Sequence, residues 1–176
     1  TYVVADMQPD DIFHEFGHLA LNLQIQQGVL LLRGLFGTFA LEPVSDATAW
    51  VRGLPLRRPA ALLAVSTNGL DLLRYGGFLY QDSAAISNLA IGATVQGATL
   101  LTNGMAWFRF QAAAGARYRA HARGTLVPFR TRLYDAVFAL AASSPSNVLD
   151  WTCPASGTYH LALSATTPQP YTVRLA

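Results

Sequence analysis

The stretch HEFGHLALNLQIQQG, residues 14–28, decides how the rest of the chain is read. From position 18 onward apolar and polar side chains alternate: Leu19, Leu21, Leu23 and Ile25 are interleaved with Ala20, Asn22, Gln24 and Gln26. A period of two is typical of a β-strand with one buried face, because successive side chains of a strand point to opposite sides. The segment HLAL recurs at residues 160–163, inside a second alternating stretch. The sequence therefore predicts a strand over residues 18–26.

The first five residues of this stretch, HEFGH, fit the pattern His-Glu-x-x-His, which can hold a zinc ion when it lies on a helix. HEFGH followed by Leu also resembles the metal-binding stretch of thimet-oligopeptidase-type zinc peptidases. In that hypothesis His14, His18 and Glu42 bind the metal, and Glu15 is the general base. In a strand, however, the two imidazoles would lie roughly 13 Å apart, whereas zinc–nitrogen bonds are about 2 Å long. A zinc peptidase is therefore the alternative, and a non-catalytic protein without a cofactor is the leading interpretation.

The composition is strongly apolar: 52% of the 176 residues are hydrophobic and 12% are charged, where roughly a quarter are charged in an average domain. A single globule of this size has too little interior to bury so much apolar surface. We therefore expect a homo-oligomer or polymer. No apolar run reaches the 18 or so residues of a membrane span, so we expect no transmembrane helix.

Alternating segments separated by turn residues run along the whole chain, and outside HEFGH no segment shows a clean helical stripe. Asn68-Gly69 and Asn103-Gly104 are pairs that suit tight hairpin turns. The segment AVFALA, residues 136–141, is among the predicted strands. The sequence predicts an all-β fold, a jelly-roll-like β-sandwich or two packed β modules, divided into residues 1–88 and 89–176.

The second half carries an ordered series of short motifs: AIGATVQG at 90–97, AWFRF at 106–110, AGARY at 114–118, RLYD at 132–135, CPASGTY at 153–159 and YTVRL at 171–175. With these motifs, about residues 89–176 resemble the bacterial pre-peptidase C-terminal domain. The resemblance implies a β-sandwich appended to secreted enzymes or surface proteins, so we expect an extracellular location. Several members bind calcium. The acidic residue usual just before Trp-Phe is Ala106 here, so we expect no calcium.

The resemblance also predicts which side chains pack inside the sandwich. Phe108 and Phe110 are expected to point inward from one strand, and Tyr159, Leu161 and Leu163 from another. Cys153 is expected in the core, and a single cysteine makes no internal disulfide. A carbohydrate- or matrix-binding module is a further alternative, and Trp50 and Trp107 are the candidates for its aromatic platform.

Charge is distributed unevenly along the chain. Residues 1–88 contain eight acids and five arginines, a net charge of −3, whereas residues 89–176 contain seven arginines and two acids, a net charge of +5. A stripe of cations is predicted on one strand face, repeated on the next strand: Arg117, Arg119, His121 and Arg123, then Arg130 and Arg132. This interface could take an acidic polysaccharide or an acidic protein face; nucleic acid is not expected, because no binding motif accompanies the stripe.

The opening segment TYVVA is apolar and β-branched, and an unpaired terminal segment frays. We therefore predict that Tyr2, Val3 and Val4 pair with a neighbouring subunit by strand addition. Halves of opposite charge favour the same head-to-tail contact. The leading interpretation is a secreted structural protein, the repeating subunit of an extracellular filament or surface assembly.

Overall fold

The computed structural model describes residues 1–6, 20–34, 37–52, 60–67, 69–75 and 78–176. These residues form seventeen β-strands and one 3-10 turn, Ser83–Ala85. The all-β prediction is confirmed. No helix in this part of the chain is long and apolar enough to cross a membrane.

The chain divides into two compact units, the first comprising residues 1–5 and 18–85 and the second residues 6–17 and 86–176. The first unit contains β1 (Tyr2–Val4), β2 (Ala20–Gln26), β3 (Val29–Gly34), β4 (Gly37–Ser45), β5 (Thr48–Val51), β6 (Ala60–Thr67), β7 (Leu70–Tyr75) and β8 (Phe78–Asp82). The predicted strand at 18–26 is confirmed over Ala20–Gln26. His14, Glu15 and His18 lie outside the described residues.

The eight strands of the first unit form one closed sheet, in which each strand pairs antiparallel with the next and β8 pairs with β1. The turn between β2 and β3 is formed by Gln27 and Gly28, with φ angles of 51° and 79°. Positive φ at both central residues is what a type I′ hairpin turn requires. Gly69, with a φ of 74°, lies in the corresponding turn between β6 and β7.

β1 closes this sheet from within the chain. Tyr2 pairs with both Leu21 of β2 and Asp82 of β8, and Val3 and Val4 are completely buried. Both hydrogen-bonding edges of β1 are therefore occupied, and closure leaves no free edge at this position. The prediction that Tyr2–Val4 pairs with a neighbouring subunit is corrected: the partner strands belong to the same chain.

The second unit is a β-sandwich. Its strands are β9 (Ser87–Asn88), β10 (Thr94–Thr99), β11 (Met105–Ala112), β12 (Arg117–Gly124), β13 (Arg130–Tyr134), β14 (Leu140–Ser144), β15 (Val148–Thr152), β16 (Gly157–Ser164) and β17 (Gln169–Leu175). One sheet has the order β10-β17-β12-β15, and the other has the order β14-β13-β16-β11-β9.

Alternate side chains of both sheets share one core. Phe108, Phe110, Tyr159, Leu161 and Leu163 of the five-stranded sheet lie in it, as the sequence predicted. The four-stranded sheet contributes Tyr118, Ala120, Ala122, Leu149, Val173 and Leu175, and Cys153 is buried in the same cluster.

Two local predictions fail in this unit. Asn103 has a positive φ of 54°, which asparagine tolerates. The turn that contains it joins β10 to β11, however, and these strands lie in different sheets, so the hairpin predicted at Asn103-Gly104 does not form. In AVFALA, Phe138 has a φ of 63°, and its N–H donates to the carbonyl of Asp135, so a tight turn replaces the predicted strand until Leu140. The Asp135 carboxylate accepts the N–H groups of Val137 and Ala139, which stabilises this turn.

Candidate functional site

The outer face of β12 carries the cations that the alternation predicted. Tyr118, Ala120 and Ala122 point into the core, so the residues between them face away from it. Three of these are exposed arginines and one is a half-buried histidine: Arg117, Arg119, Arg123 and His121. The shared face is thus as predicted, while its role as an interface stays a prediction.

Neighbouring strands extend this face sideways. Residues of β17 that lie directly opposite β12 share its outer side, and these place Arg174 beside His121 and Thr172 beside Arg123. On β10, Gln96 lies opposite Thr172. Arg174 was missed at the sequence level: the alternation in YTVRL shows that it faces away from Val173, but not which strand lies next to it.

One cation of the face is neutralised. Arg119 donates through Nε to Asp150 Oδ1 at 2.7 Å and through Nη2 to Oδ2 at 3.1 Å, across the β12–β15 pair. This hydrogen-bonded pair lowers the pKa of Asp150 and raises that of Arg119. Among the residues that the structure describes, no carboxylate lies within ion-pair distance of Arg117, Arg123 or Arg174. These three guanidinium groups, with Arg119 and His121, are called the cationic face below.

An open depression of about 280 Å³ lies at one end of the cationic face. It is lined by Gln96, Gly97, Arg123, Gly124, Thr125, Pro170, Tyr171 and Thr172. The loop that follows Gly124 is held by the buried amide of Gln169, whose Oε1 accepts the N–H groups of Leu126 and Val127 at 2.8 and 3.1 Å. Its Nε2 donates to the carbonyl of Val127 at 2.8 Å, so the loop beside the depression is fixed by three hydrogen bonds.

Arg130 and Arg132 do not continue this stripe. They lie on β13, which belongs to the five-stranded sheet and not to the sheet of β12. Arg132 is 7% exposed and donates through Nη1 to Ser164 Oγ at 3.1 Å. The pattern predicted to repeat on the next strand therefore lies in the other sheet, because the chain crosses between β12 and β13. The role of Arg130 and Arg132 as an interface stays a prediction.

A polar and aromatic cluster lies on β11, β13 and β16 of the five-stranded sheet. The His160 ring stacks on Phe138 with centroids 4.3 Å apart, and its Nδ1 lies 3.1 Å from the carbonyl oxygen of Asp135. Burial lowers the pKa of His160, and the nearby charge of Arg109 acts in the same direction. Burial also raises the pKa of Tyr134.

Trp107 belongs to this cluster, with its ring centroid 5.2 Å from that of Tyr134 and 5.8 Å from that of Phe138. It is 4% exposed, so it packs and cannot form the surface platform that the carbohydrate-binding alternative assigned to it. Trp50, on β5, is 36% exposed.

The zinc hypothesis is not tested by this structure, because His14, Glu15 and His18 lie outside the described residues. Its third ligand, Glu42 on β4, accepts a hydrogen bond from Arg52 Nε and forms an ion pair with that residue. Within the described part of the chain, no three His, Cys, Asp or Glu side chains come together as a metal site. The expected absence of bound calcium likewise stays a prediction.

The charge difference between residues 1–88, with a net charge of −3, and residues 89–176, with a net charge of +5, is a property of the sequence. The head-to-tail contact that was predicted from it stays a prediction.

Comparison with known proteins finds no matching family model and no matching curated protein. Among solved structures, the pre-peptidase C-terminal domain of a collagenase from Bacillus anthracis matches 52% of this chain and 94% of its own length, with 12% identity and a TM-score of 0.43. PliG of Aeromonas hydrophila, a periplasmic inhibitor of g-type lysozyme, matches 52% of this chain and 97% of its own, with 12% identity and a TM-score of 0.40. PliG of Salmonella Typhimurium matches 51% of this chain and 97% of its own length, with 19% identity and a TM-score of 0.37. The first is a domain of the family whose motifs residues 89–176 resemble.

Proposed function

We propose that this chain is a non-catalytic extracellular β-protein that binds an acidic polysaccharide through the cationic face. The observation that carries the proposal is the exposure of Arg117, Arg123 and Arg174 on one sheet surface without a carboxylate partner among the described residues. Arginine stays charged at any physiological pH, and its planar fork matches carboxylate and sulfate groups.

The shape of the face favours an extended polymer. Arg117 and Arg123 lie at the two ends of one face of β12, and six residues of a strand span roughly 20 Å. Between and beside the arginines are Thr94, Gln96, Thr152 and Thr172, whose side chains can hydrogen-bond hydroxyl groups. Single-stranded nucleic acid binds on surfaces where bases stack on aromatic rings, and the outward positions of these four strands hold none.

The test is a binding titration with heparin and polygalacturonate as acidic polymers and dextran as the neutral one. We expect binding to the acidic polymers alone, weakening as salt screens the charges. The double variant Arg123→Ser/Arg174→Ser should lose most of the affinity. Arg33→Ser/Arg74→Ser, which removes two exposed arginines of the closed sheet, is the control with the same net charge. Equal losses in both variants, or no binding by the intact chain, would contradict the proposal.

Self-association into a filament or surface assembly is the second candidate. At the tip of the β2–β3 hairpin, Ile25 is 76% exposed and Val29 is 45% exposed, and no charged residue occurs between Ala20 and Leu32. An exposed uncharged tip can pack against the same tip of another copy. Because β1 pairs within the chain, the support for self-association comes from this exposed apolar tip and not from β1.

Sedimentation at increasing protein concentration tests this second candidate. The intact chain should associate, and Ile25→Ser/Val29→Ser should shift it toward the monomer. Val137→Ser, at a 73% exposed position of the sandwich, serves as the control. A chain that sediments as a monomer at high concentration has no such assembly.

A further inference from the structure

The depression at the end of the cationic face adjoins a row of three polar side chains. Gln96 of β10, Thr172 of β17 and Arg123 of β12 lie opposite one another on three adjacent strands. Because neighbouring strands are about 4.8 Å apart, the row is roughly 10 Å long. An amide, a hydroxyl and a guanidinium therefore face the same small area.

The backbone around this area is rigidly held. A Cβ at Gly124 would lie 2.6 Å from Gln169 Oε1 and 2.7 Å from the Phe129 ring, so glycine lets the strand end pack closely against both side chains. The hydrogen bonds of the Gln169 amide then fix the loop after Gly124 and, with it, Thr125 at the rim. A site that is ordered before binding loses little conformational entropy when it binds.

The guanidinium groups of Arg119 and Arg123 differ in whether a carboxylate already binds them, although both residues lie on the same face of β12. The carboxylate of Asp150 binds the Arg119 guanidinium through two hydrogen bonds. Of the residues that the structure describes, none offers Arg123 such a carboxylate. Within the described part of the chain, an incoming anion would compete with the Asp150 carboxylate for Arg119 and with no carboxylate for Arg123.

We propose that the row Gln96–Thr172–Arg123 is the specific subsite for one acidic sugar unit. This inference rests on the proposed function and deepens it. Arg123 binds the carboxylate or sulfate group through paired N–H donors, and Thr172 and Gln96 hydrogen-bond the hydroxyl groups of the same unit. Arg117 and Arg174 contribute longer-range attraction along the polymer, and Arg119 contributes little because Asp150 neutralises it.

The test compares Arg123→Gln with Arg119→Gln in the full chain, using polygalacturonate as the carboxylated probe and heparin as the sulfated probe. Each variant removes one positive charge from an exposed position of β12. Loss of a charge-assisted bidentate contact should weaken binding about tenfold or more for Arg123→Gln, and only about threefold or less for Arg119→Gln. Thr172→Val should weaken binding about threefold, since it removes one neutral hydrogen bond.

The outcomes separate the subsite from the general proposal. If the intact chain binds the acidic polymers but Arg119→Gln and Arg123→Gln weaken binding equally, the subsite is wrong and the cationic face stands. If the intact chain binds neither polymer, both proposals fail. Asp150→Asn is a further check: it frees Arg119 and should strengthen binding, while leaving the tenfold effect of Arg123→Gln in place. Circular dichroism and melting temperature confirm that each variant is folded.

Discussion

The two units of this chain are both built mainly from antiparallel strand pairs, but the order in which the strands pair differs. In the closed sheet every strand pairs with its neighbours along the chain, and the last strand, β8, returns to pair with β1. In the sandwich only β13 and β14 are consecutive strands that pair, and the other antiparallel pairs join distant segments, such as β10 with β17. Hairpin pairing is local, whereas sandwich pairing requires long loops to close, which slows folding.

The cores differ as well. The buried side chains described in the first unit are mostly aliphatic, and Val3, Val4, Leu32 and Leu72 are among them. The sandwich core is rich in aromatic rings; the Tyr171 ring, for example, makes edge contacts with Phe108 and Phe129. The closed sheet should therefore depend on its closing strand, and the sandwich on close packing around its rings.

Removal of β1, the strand that closes the first sheet, is the change expected to lower the free energy of unfolding most. Deletion of residues 1–5 removes two fully buried valines, and burial of one such side chain is worth about 1.5–3 kcal/mol, so we expect a loss of about 3–6 kcal/mol in the free energy of unfolding. It also exposes the edges of β2 and β8, and free strand edges promote association. Denaturant unfolding and sedimentation measure the two effects.

Val4→Ala, which keeps the backbone pairing of β1, is the milder control and should cost less than the deletion. A truncated chain that is as stable and as monomeric as the intact one would show that β1 does not close the sheet. If β1 instead paired with a neighbouring subunit, as the sequence predicted, the truncated chain would lose association and not gain it.

Close packing in the sandwich is tested at Gly97. A Cβ there would lie 2.4 Å from the Tyr171 hydroxyl and 2.6 Å from its ring carbon Cζ, and a ring packed against Phe108 and Phe129 cannot move freely. Gly97→Ala should therefore lower the free energy of unfolding by about 1–3 kcal/mol, as overpacking of a dense core does. Thermal or denaturant unfolding of the variant measures this loss.

Gly157→Ala is the matched control within the same sandwich. Nothing lies within 4 Å of a Cβ at Gly157, so the change should be neutral or raise stability by up to about 1 kcal/mol. Similar losses at both glycines would mean that backbone conformation, and not the Tyr171 ring, determines the effect.

The smallest expected effect is a pH dependence of the sandwich that originates at His160. Burial lowers the pKa of this imidazole in the folded state. The unfolded chain therefore takes up a proton first, and the folded state loses stability as pH falls below about 6.5, the ordinary histidine value. Above that pH both states are neutral and the contribution is constant.

His160→Gln should flatten this pH dependence, seen in melting temperatures between pH 7.5 and 5. It should also cost about 1 kcal/mol at pH 7.5, because the stacked contact with Phe138 is lost. If the variant keeps the full acid sensitivity of the intact chain, the dependence originates elsewhere.

Much of the sandwich core was predictable from the sequence. The alternation in β12 and β16, together with the motif resemblance, placed Phe108, Phe110 and Leu161 inside and the cations of β12 outside. The hairpin turn at Gly69 was also recognisable. These features are local: the alternation of side chains along a strand and the residue types of a turn determine them, and both can be read from a few consecutive residues.

The candidate site was predicted only in part. Arg119 was indistinguishable from Arg123 in the sequence, because their difference comes from Asp150, which lies 31 residues further along and on another strand. Arg132 was assigned to the surface, because nothing in the alternation shows that β13 crosses to the other sheet. Phe138 was assigned to a strand, but the carboxylate of Asp135 stabilises a turn there.

The sequence by itself determined that the chain is all-β, where most of the strands lie and which side of each strand is apolar. Only the tertiary structure decided which strands are neighbours: that β1 closes a sheet within its own chain, that Arg174 joins the cationic face and that Asp150 neutralises Arg119. The physical reason is that side-chain alternation acts over two residues, whereas strand pairing depends on the burial and hydrogen bonding of segments far apart in the chain.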